Sequence, residues 1–69
     1  MNVKVGNKIR VKGDVNDFTD HLDNEILTVI ATIDEHPATV LIDENTVYCR
    51  DKDGDNWYIW IDNILEVIE

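Results

Sequence analysis

The most chemically distinctive stretch of the chain is 51–55, in which three aspartates alternate with other residues around one glycine. Carboxylate oxygens at such alternate positions are the ligands of calcium-binding loops. A loop of that kind, aligned on its glycine, would need ligands at Cys49 and Trp60, and neither side chain is suitable. Aspartate, asparagine and glycine also build tight turns. The stretch therefore predicts a hairpin turn and no metal site.

The side chains that could hold zinc or act as nucleophiles are few and scattered. His21, His36 and Cys49 are the soft metal ligands, and none forms a paired spacing, whereas zinc needs ligands that converge. The chain has no serine, and no histidine lies near Cys49 in sequence. Its three glycines form no phosphate-binding loop. We expect no catalytic activity, no metal and no cofactor.

Charge is distributed unevenly along the chain, which has a formal net charge of −9. Four of the six basic residues lie within the first twelve positions. From Gly13 onward there are two basic and fifteen acidic residues, so that stretch carries a formal charge of −13. Such a surface repels phosphates and anionic lipid head groups. We expect no direct binding of nucleic acid or membrane, and a basic protein or a cation as partner.

Length and cysteine content limit the class of protein. The 69 residues predict one domain, 1–69, with a thin core that leaves little room for an enclosed active site. A single cysteine forms no internal disulfide and is typical of a reducing compartment. The first residues do not resemble a signal peptide, and no apolar stretch is long enough to span a bilayer. We expect a soluble, cytoplasmic protein.

Hydrophobic alternation predicts that β-strands position the acidic and potential ligand residues described above. Apolar and basic residues alternate over 8–12, which is the pattern of a half-buried strand, and 27–33 is rich in β-branched residues. A helical stripe from Phe18 to Ile33 is the alternative for the second stretch. The residues 14–25 predict a polar loop pinned by Phe18 and Leu22, and 62–65 a single helical turn. The predicted strands are 8–12, 27–33, 40–42, 46–50, 57–61 and 66–68.

The order of these features resembles an SH3-like barrel of short bacterial and bacteriophage proteins. The resemblance rests on five features: the Val-Gly-Asn-Lys-Ile-Arg-Val-Lys opening, a long polar loop, Leu-Thr-Val-Ile at 27–30, a hairpin ending in Trp-Tyr-Ile at 57–59, and the final Leu-Glu-Val-Ile. The resemblance covers nearly the whole chain and implies an all-β barrel of about five short strands, with a long acidic loop after the first. The Ala-Leu-Tyr-Asp-Tyr-like opening of signalling SH3 domains is absent, so binding of proline-rich peptides does not carry over.

Alternation in the strand 57–61 gives it two apolar faces. Trp57, Ile59 and Ile61 share one face, and Tyr58 and Trp60 share the other. Two interpretations remain open for the second face. It is covered by the 14–25 loop or the C-terminal turn, or it is an exposed aromatic pair of the kind enriched at interfaces. A homodimer would also cover it.

The acidic residues have a functional and a plain interpretation. In an extended chain Asp51, Asp53 and Asp55 would lie about 6.6 Å apart, near the separation of successive phosphates. This resembles the DNA-mimic inhibitors with which bacteriophages block host proteins. We therefore expect docking on a basic, DNA-binding host protein; the alternative is an accessory SH3-like module whose charge only solubilises it. The candidate partner-binding residues are Asp14, Asp17, Asp20, Asp23, Glu25, Asp43, Glu44, Asp51, Asp53, Asp55, Tyr58 and Trp60.

Overall fold

A computed structural model of the chain describes residues 3–68. Its regular structure consists of five β-strands and three single 3-10 turns. The strands are β1 (Lys8–Val11), β2 (Ile26–Ala31), β3 (Thr46–Arg50), β4 (Asn56–Trp60) and β5 (Ile64–Val67). The 3-10 turns are Val15–Asp17, Asp20–Leu22 and Ile61–Asn63. No α-helix occurs within the described residues, and the all-β class is therefore confirmed.

The strands form one antiparallel sheet in the order β4-β3-β2-β1-β5. β1 lies between β2 and β5, so the first and last strands of the chain are neighbours. Within residues 3–68, the two outer strands β4 and β5 do not pair with each other. The sheet is open at these two edges, in contrast to the closed barrel that the resemblance implied.

Alternate residues of every strand meet in a single core. Ile9 and Val11 of β1, Leu27 and Val29 of β2, and Cys49 of β3 are among its fully buried members. Branched side chains at period two fit a pleated sheet better than a helix, because a helix restricts their rotamers. The strand prediction for the second stretch is confirmed, and the helical alternative is wrong.

Three details differ from the sequence-based expectation. Residues 40–42 are not a strand, and Leu41 is 84% exposed; the Val40 N–H instead closes a turn on the Pro37 carbonyl at 3.0 Å, and the Leu41 N–H donates to the Tyr58 hydroxyl at 3.3 Å. β2 ends at Ala31, and Ile33 is exposed in the turn that the Thr32–Glu35 bridge closes. β5 begins at Ile64, before the expected start at 66, because Ile64 is buried opposite Val11.

Candidate functional site

The segment between β1 and β2 is folded by its own carboxylates. The Asp14 side chain accepts a hydrogen bond from the Asn16 backbone N–H at 2.9 Å and so caps the first 3-10 turn. Asp23 Oδ1 accepts from the Gly13 N–H at 2.9 Å. A Cβ at Gly13 would lie 2.8 Å from the Asp20 carbonyl oxygen, so only glycine permits this close approach. Asp14 and Asp23 are therefore structural residues of the loop.

Leu22, and not Phe18, anchors this loop to the core. Leu22 is buried in the core, whereas Phe18 is 79% exposed. Phe18 has a left-handed backbone conformation, φ 60°, and its N–H closes the first 3-10 turn on the Val15 carbonyl. A left-handed residue reverses the chain direction, and here the ring is left in solvent. The prediction that both residues pin the loop is correct for Leu22 only.

The turn between β3 and β4 is organised around Asp51. Its Oδ1 accepts hydrogen bonds from the backbone N–H groups of Asp53 and Asp55, each at 2.9 Å. Its Oδ2 accepts from the indole Nε1–H of Trp57 at 2.8 Å. The Trp57 bond, followed by the Asp55 and Asp53 backbone bonds and the charge of His21, outweighs desolvation and lowers the pKa of Asp51 below its usual value. Asp51 is therefore a fixed internal anion.

This geometry corrects the hypothesis of an evenly spaced carboxylate row. The backbone over 51–55 closes a hairpin turn, with Asp51 N–H bonded to the Asp55 carbonyl at 2.8 Å and Gly54 in the left-handed region at φ 86°. The chain is not extended here, so the calculated spacing does not apply. The predicted hairpin turn is confirmed, but only Asp53 and Asp55 leave their carboxylates outside it.

Trp57 joins the two acidic segments. Besides its bond to Asp51, its ring meets the ring of His21 edge-on, with centroids 4.8 Å apart. A half-buried indole needs a partner for its N–H, and the hairpin turn supplies one while the 14–25 loop covers the ring. The contact holds these two acidic segments beside each other, although they are far apart in sequence.

Two grooves flank Trp57. The first, which we call the turn groove, measures about 290 Å³ and lies between the end of the 14–25 loop and the hairpin turn. The second, the edge groove, measures about 300 Å³ and lies along β4. The turn groove is lined by His21, Leu22, Glu25, Ile26, Leu27, Asp51, Lys52, Asp53 and Asp55. The edge groove is lined by Asp17, Thr19, Thr46, Asn56, Trp57, Tyr58 and Trp60.

The predicted acidic residues differ in their contacts and in whether they line a groove. Within residues 3–68, the carboxylates of Asp17, Asp53 and Asp55 line a groove and make no hydrogen bond or ion pair. Asp43 caps its own turn by accepting from the Asn45 N–H at 2.8 Å, and Glu25 lies 3.6 Å from Lys52 Nζ. The predicted residues that line neither groove are Asp14, Asp20, Asp23, Asp43 and Glu44. Five of the ten predicted acidic residues therefore lie outside both grooves.

The aromatic pair on β4 lies on the outer side of the sheet. Tyr58 is 45% exposed and Trp60 is 43% exposed, while Ile59 between them is buried. The Tyr58 ring packs on Tyr48 with centroids 4.7 Å apart, and its hydroxyl accepts from the Leu41 N–H at 3.3 Å. The predicted alternation is confirmed. This outer face remains open enough to take part in an interface.

Sequence reasoning missed the edge-groove residues Thr19, Thr46 and Asn56, and the role of Trp57. Each of the three polar residues is unremarkable in sequence and enters the groove through strand pairing or loop folding. A signal existed for Trp57, because an indole N–H beside an aspartate-rich hairpin turn has an obvious acceptor.

The described residues provide neither a cluster of metal ligands nor an activated thiol. Residues 3–68 contain no group of three or more His, Cys, Asp or Glu side chains placed to hold a metal ion. Cys49 is fully buried, deeper than the half-buried position expected, and burial raises its pKa to about 12. A thiol with this pKa is protonated at neutral pH and is a poor nucleophile.

Comparison of the chain with protein-family models, curated proteins and solved structures finds no match. None of the helical turns in residues 3–68 is long and apolar enough to cross a membrane. The function must therefore be argued from the surface itself.

Proposed function

We propose that this protein is a non-enzymatic binding protein that docks on a positively charged protein surface and excludes nucleic acid from it. The observation that carries the proposal is that unpaired carboxylates and exposed aromatic side chains lie around the same two grooves. Carboxylates without internal partners among residues 3–68, at Asp17, Asp53 and Asp55, border the two grooves beside the exposed Tyr58–Trp60 pair. Unpaired charge beside an exposed aromatic is the combination found at protein interfaces.

The two kinds of side chain contribute differently to such an interface. Exposed ion pairs contribute about 0–1 kcal/mol each, so the carboxylates act mainly as a group, by speeding association and selecting a basic partner. A buried interface aromatic commonly contributes about 2 kcal/mol or more. We expect Trp60 to set the lifetime of the complex and the carboxylates to set its rate of formation.

In this proposal, nucleic acid is mimicked by a surface built from two segments and not by a regular row of carboxylates along one strand. The carboxylates come from the 14–25 loop and the hairpin turn, which Trp57 holds together. They would enter a basic site as a rigid set of anions in place of phosphates. We further propose that the sheet is that of an SH3-like barrel of bacterial or bacteriophage type, on the basis of its strand order and the β1–β5 pairing, and that the protein acts in the cytoplasm.

A second function is an accessory module in a larger assembly. Its support is that the two most exposed large apolar side chains of residues 3–68, Leu41 at 84% and Phe18 at 79%, line neither groove. Exposed apolar residues outside the acidic grooves are what an interface independent of charge would use. In that case the acidic surface would only keep the protein soluble.

Capture followed by competition separates the two functions. The chain is immobilised, exposed to a bacterial lysate, and eluted either with salt or with non-specific duplex DNA at low salt. The mimic proposal expects captured proteins that bind nucleic acid and are released by both treatments, because the duplex and the chain compete for one basic site. Release by neither treatment would favour the accessory module.

Kinetics with a captured protein test the role of the carboxylates. The double variant Asp53→Asn, Asp55→Asn retains the internal anion Asp51 and should slow association and flatten its salt dependence. The charge-matched control is Asp34→Asn, Glu35→Gln, which alters exposed acids in the turn after β2. Equal behaviour of both variants and the parent at every salt concentration would contradict the proposal.

A further inference from the structure

The outer edge of β4 presents unpaired backbone groups. The Asp51 N–H bonds to the Asp55 carbonyl at 2.8 Å, and the Ile61 N–H bonds to the Asn45 carbonyl at 2.8 Å. Bonded and non-bonded pairs alternate along an antiparallel ladder. The main-chain groups of Trp57 and Ile59 therefore face β3, and those of Asn56, Tyr58 and Trp60 face away from the sheet. Among residues 3–68 these outward groups have no main-chain partner.

This edge lacks the features that prevent further strand pairing. Its register with β3 runs without a bulge from Thr46↔Trp60 to Arg50↔Asn56. The strand Asn56–Trp60 contains no charged residue and no proline. Proteins normally protect an exposed edge with charges, prolines, bulges or a covering segment. The outward main-chain groups of β4 consequently lack these protections against another strand.

The edge groove is the space that an added strand would occupy. Asn56, Tyr58 and Trp60, the three residues with outward main-chain groups, all line it. Asp17 and Thr19 of the 14–25 loop form another part of its wall. Thr46 of β3 and Trp57 complete the lining, so the groove adjoins the strand with the unpaired main chain and includes an acidic residue of the loop.

The charges around the edge define the chemistry of the occupant. Asp17 lines the groove, Asp53 and Asp55 precede β4, and Asp62 follows it. Two cations lie nearby: Arg50, whose Nε donates to the neutral Asn56 Oδ1 at 3.1 Å and which keeps its charge, and Lys52, which lies 3.6 Å from Glu25. The four aspartates outnumber these two cations, so the local charge is negative and favours a segment that carries lysine or arginine.

We propose that β4 receives an extended, basic segment of the partner protein as an added strand of the sheet. This deepens the proposed function and rests on it, because the segment would belong to the basic protein. The main-chain groups of Asn56, Tyr58 and Trp60 bond to the segment. Its alternate side chains fall on the two faces of the sheet, with basic ones toward Asp17 and apolar ones over the Tyr58–Trp60 pair.

A second copy of this chain fits the edge less well. Antiparallel pairing of two β4 strands would bring Asp53 and Asp55 of one copy toward Asp62 of the other. Each copy also has a formal net charge of −9, and like charges brought together oppose association. Charge therefore selects a basic segment over self-pairing.

Backbone methylation tests the added strand directly. The probe is a peptide of alternating lysine and valine, matched in length to β4. Two further peptides carry N-methyl groups either on every lysine or on every valine. Only one of these sets has N–H groups that face β4, so one methylated peptide should lose binding at least about tenfold while the other binds like the parent. Equal binding by both would overturn the added strand and leave simple acidic docking intact.

Amide hydrogen exchange locates the contact on this chain. With the parent peptide, exchange at Tyr58 and Trp60 should slow by about tenfold or more, since their N–H groups become bonded. Trp57 and Ile59, which already bond to β3, are the internal controls and should change little. Protection confined to the hairpin turn would overturn the proposal.

Point variants and self-association complete the test. Asp17→Asn should weaken peptide binding by about two- to fivefold, as expected for an exposed ion pair. Asp20→Asn should not weaken it, because Asp20 lies outside both grooves.

Sedimentation without peptide should give a monomer; a dimer with protected Tyr58 and Trp60 amides would assign the edge to a second copy. If the peptide fails but captured proteins are still released by duplex DNA, the edge proposal fails alone.

Discussion

The two edges of the sheet differ in how they are protected. β5 meets β1 in a register that shifts between Arg10 and Val11, and it carries Glu66, whose carboxylate lies 2.8 Å from Arg10 Nε. β4 meets β3 in an unbroken register and carries aromatic and uncharged side chains. One edge has a bulge and an ion pair, and the other has neither.

The difference makes the two edges unequal templates for a further strand. A bulge and a charged side chain make an edge a poor template for another strand. Around β4 the charges are placed beside the strand, on the 14–25 loop and the hairpin turn, rather than on it. That arrangement leaves the main chain accessible and selects what approaches it.

Truncation of the core beneath each edge should have the largest effect. Ile59 of β4 and Ile64 of β5 are both buried in the same core, so Ile59→Ala and Ile64→Ala should each lower the free energy of unfolding by about 2–5 kcal/mol. Urea denaturation measures this, with Leu65→Ala at an exposed site as the control. If only one of the two variants Ile59→Ala and Ile64→Ala lost stability, the two edge strands would not share a core.

Removal of the Asp51 carboxylate should have the next largest effect. Asp51→Ala leaves the Trp57 indole N–H and the N–H groups of Asp53 and Asp55 without their acceptor. We expect a loss of stability smaller than that of Ile59→Ala, with faster amide exchange in β4 but not in β5. Asp53→Ala, which removes no such bond, is the matched control. Equal destabilisation by both variants would show that Asp51 does not brace β4.

The same carboxylate should make stability depend on pH. Because the folded pKa of Asp51 is lowered, its contribution is complete above the unfolded value of about 3.9. It is lost as the pH falls from that value through the lower folded pKa. Urea denaturation of the parent and of Asp51→Ala should therefore converge as the pH is lowered through this window. A difference that stays constant into strong acid would contradict the assignment.

The ion pair on the β5 side should have the smallest effect. Both side chains are partly exposed, so Glu66→Gln should cost about 0–1 kcal/mol, and salt should reduce that cost. Arg10→Gln should cost somewhat more, because Arg10 Nη1 also donates to the Asn24 carbonyl at 3.1 Å. A Glu66→Gln loss well above this range would show that the pair supports the edge rather than shielding it.

Much of the sheet could be predicted from local pattern. The alternation at 8–12 identified β1, since residues two apart in a strand face the same side, and the β-branched stretch from Leu27 identified β2. The strand predicted at 46–50 matches β3. Residues 40–42 had a similar apolar pattern without forming a strand. The Leu41 N–H donates to the Tyr58 hydroxyl instead of to a strand, and a short window of sequence does not contain a partner that lies so far along the chain.

The candidate site was predicted only in outline. The acidic residues and the Tyr58–Trp60 pair were identified, but Asp51 was grouped with Asp53 and Asp55 although its role is internal. A carboxylate has the same charge in sequence whether it faces solvent or accepts an indole N–H. The distinction is made by the fold of the hairpin turn around it.

The sequence by itself determined the class of structure and the sign of the surface, because alternation and charge are properties of consecutive residues. The tertiary structure alone decided which carboxylates are used internally, that Trp57 joins the 14–25 loop to the hairpin turn, and that β4 rather than β5 is the unprotected edge. These outcomes depend on distances between residues far apart in the chain. Such distances exist only after the strands have paired.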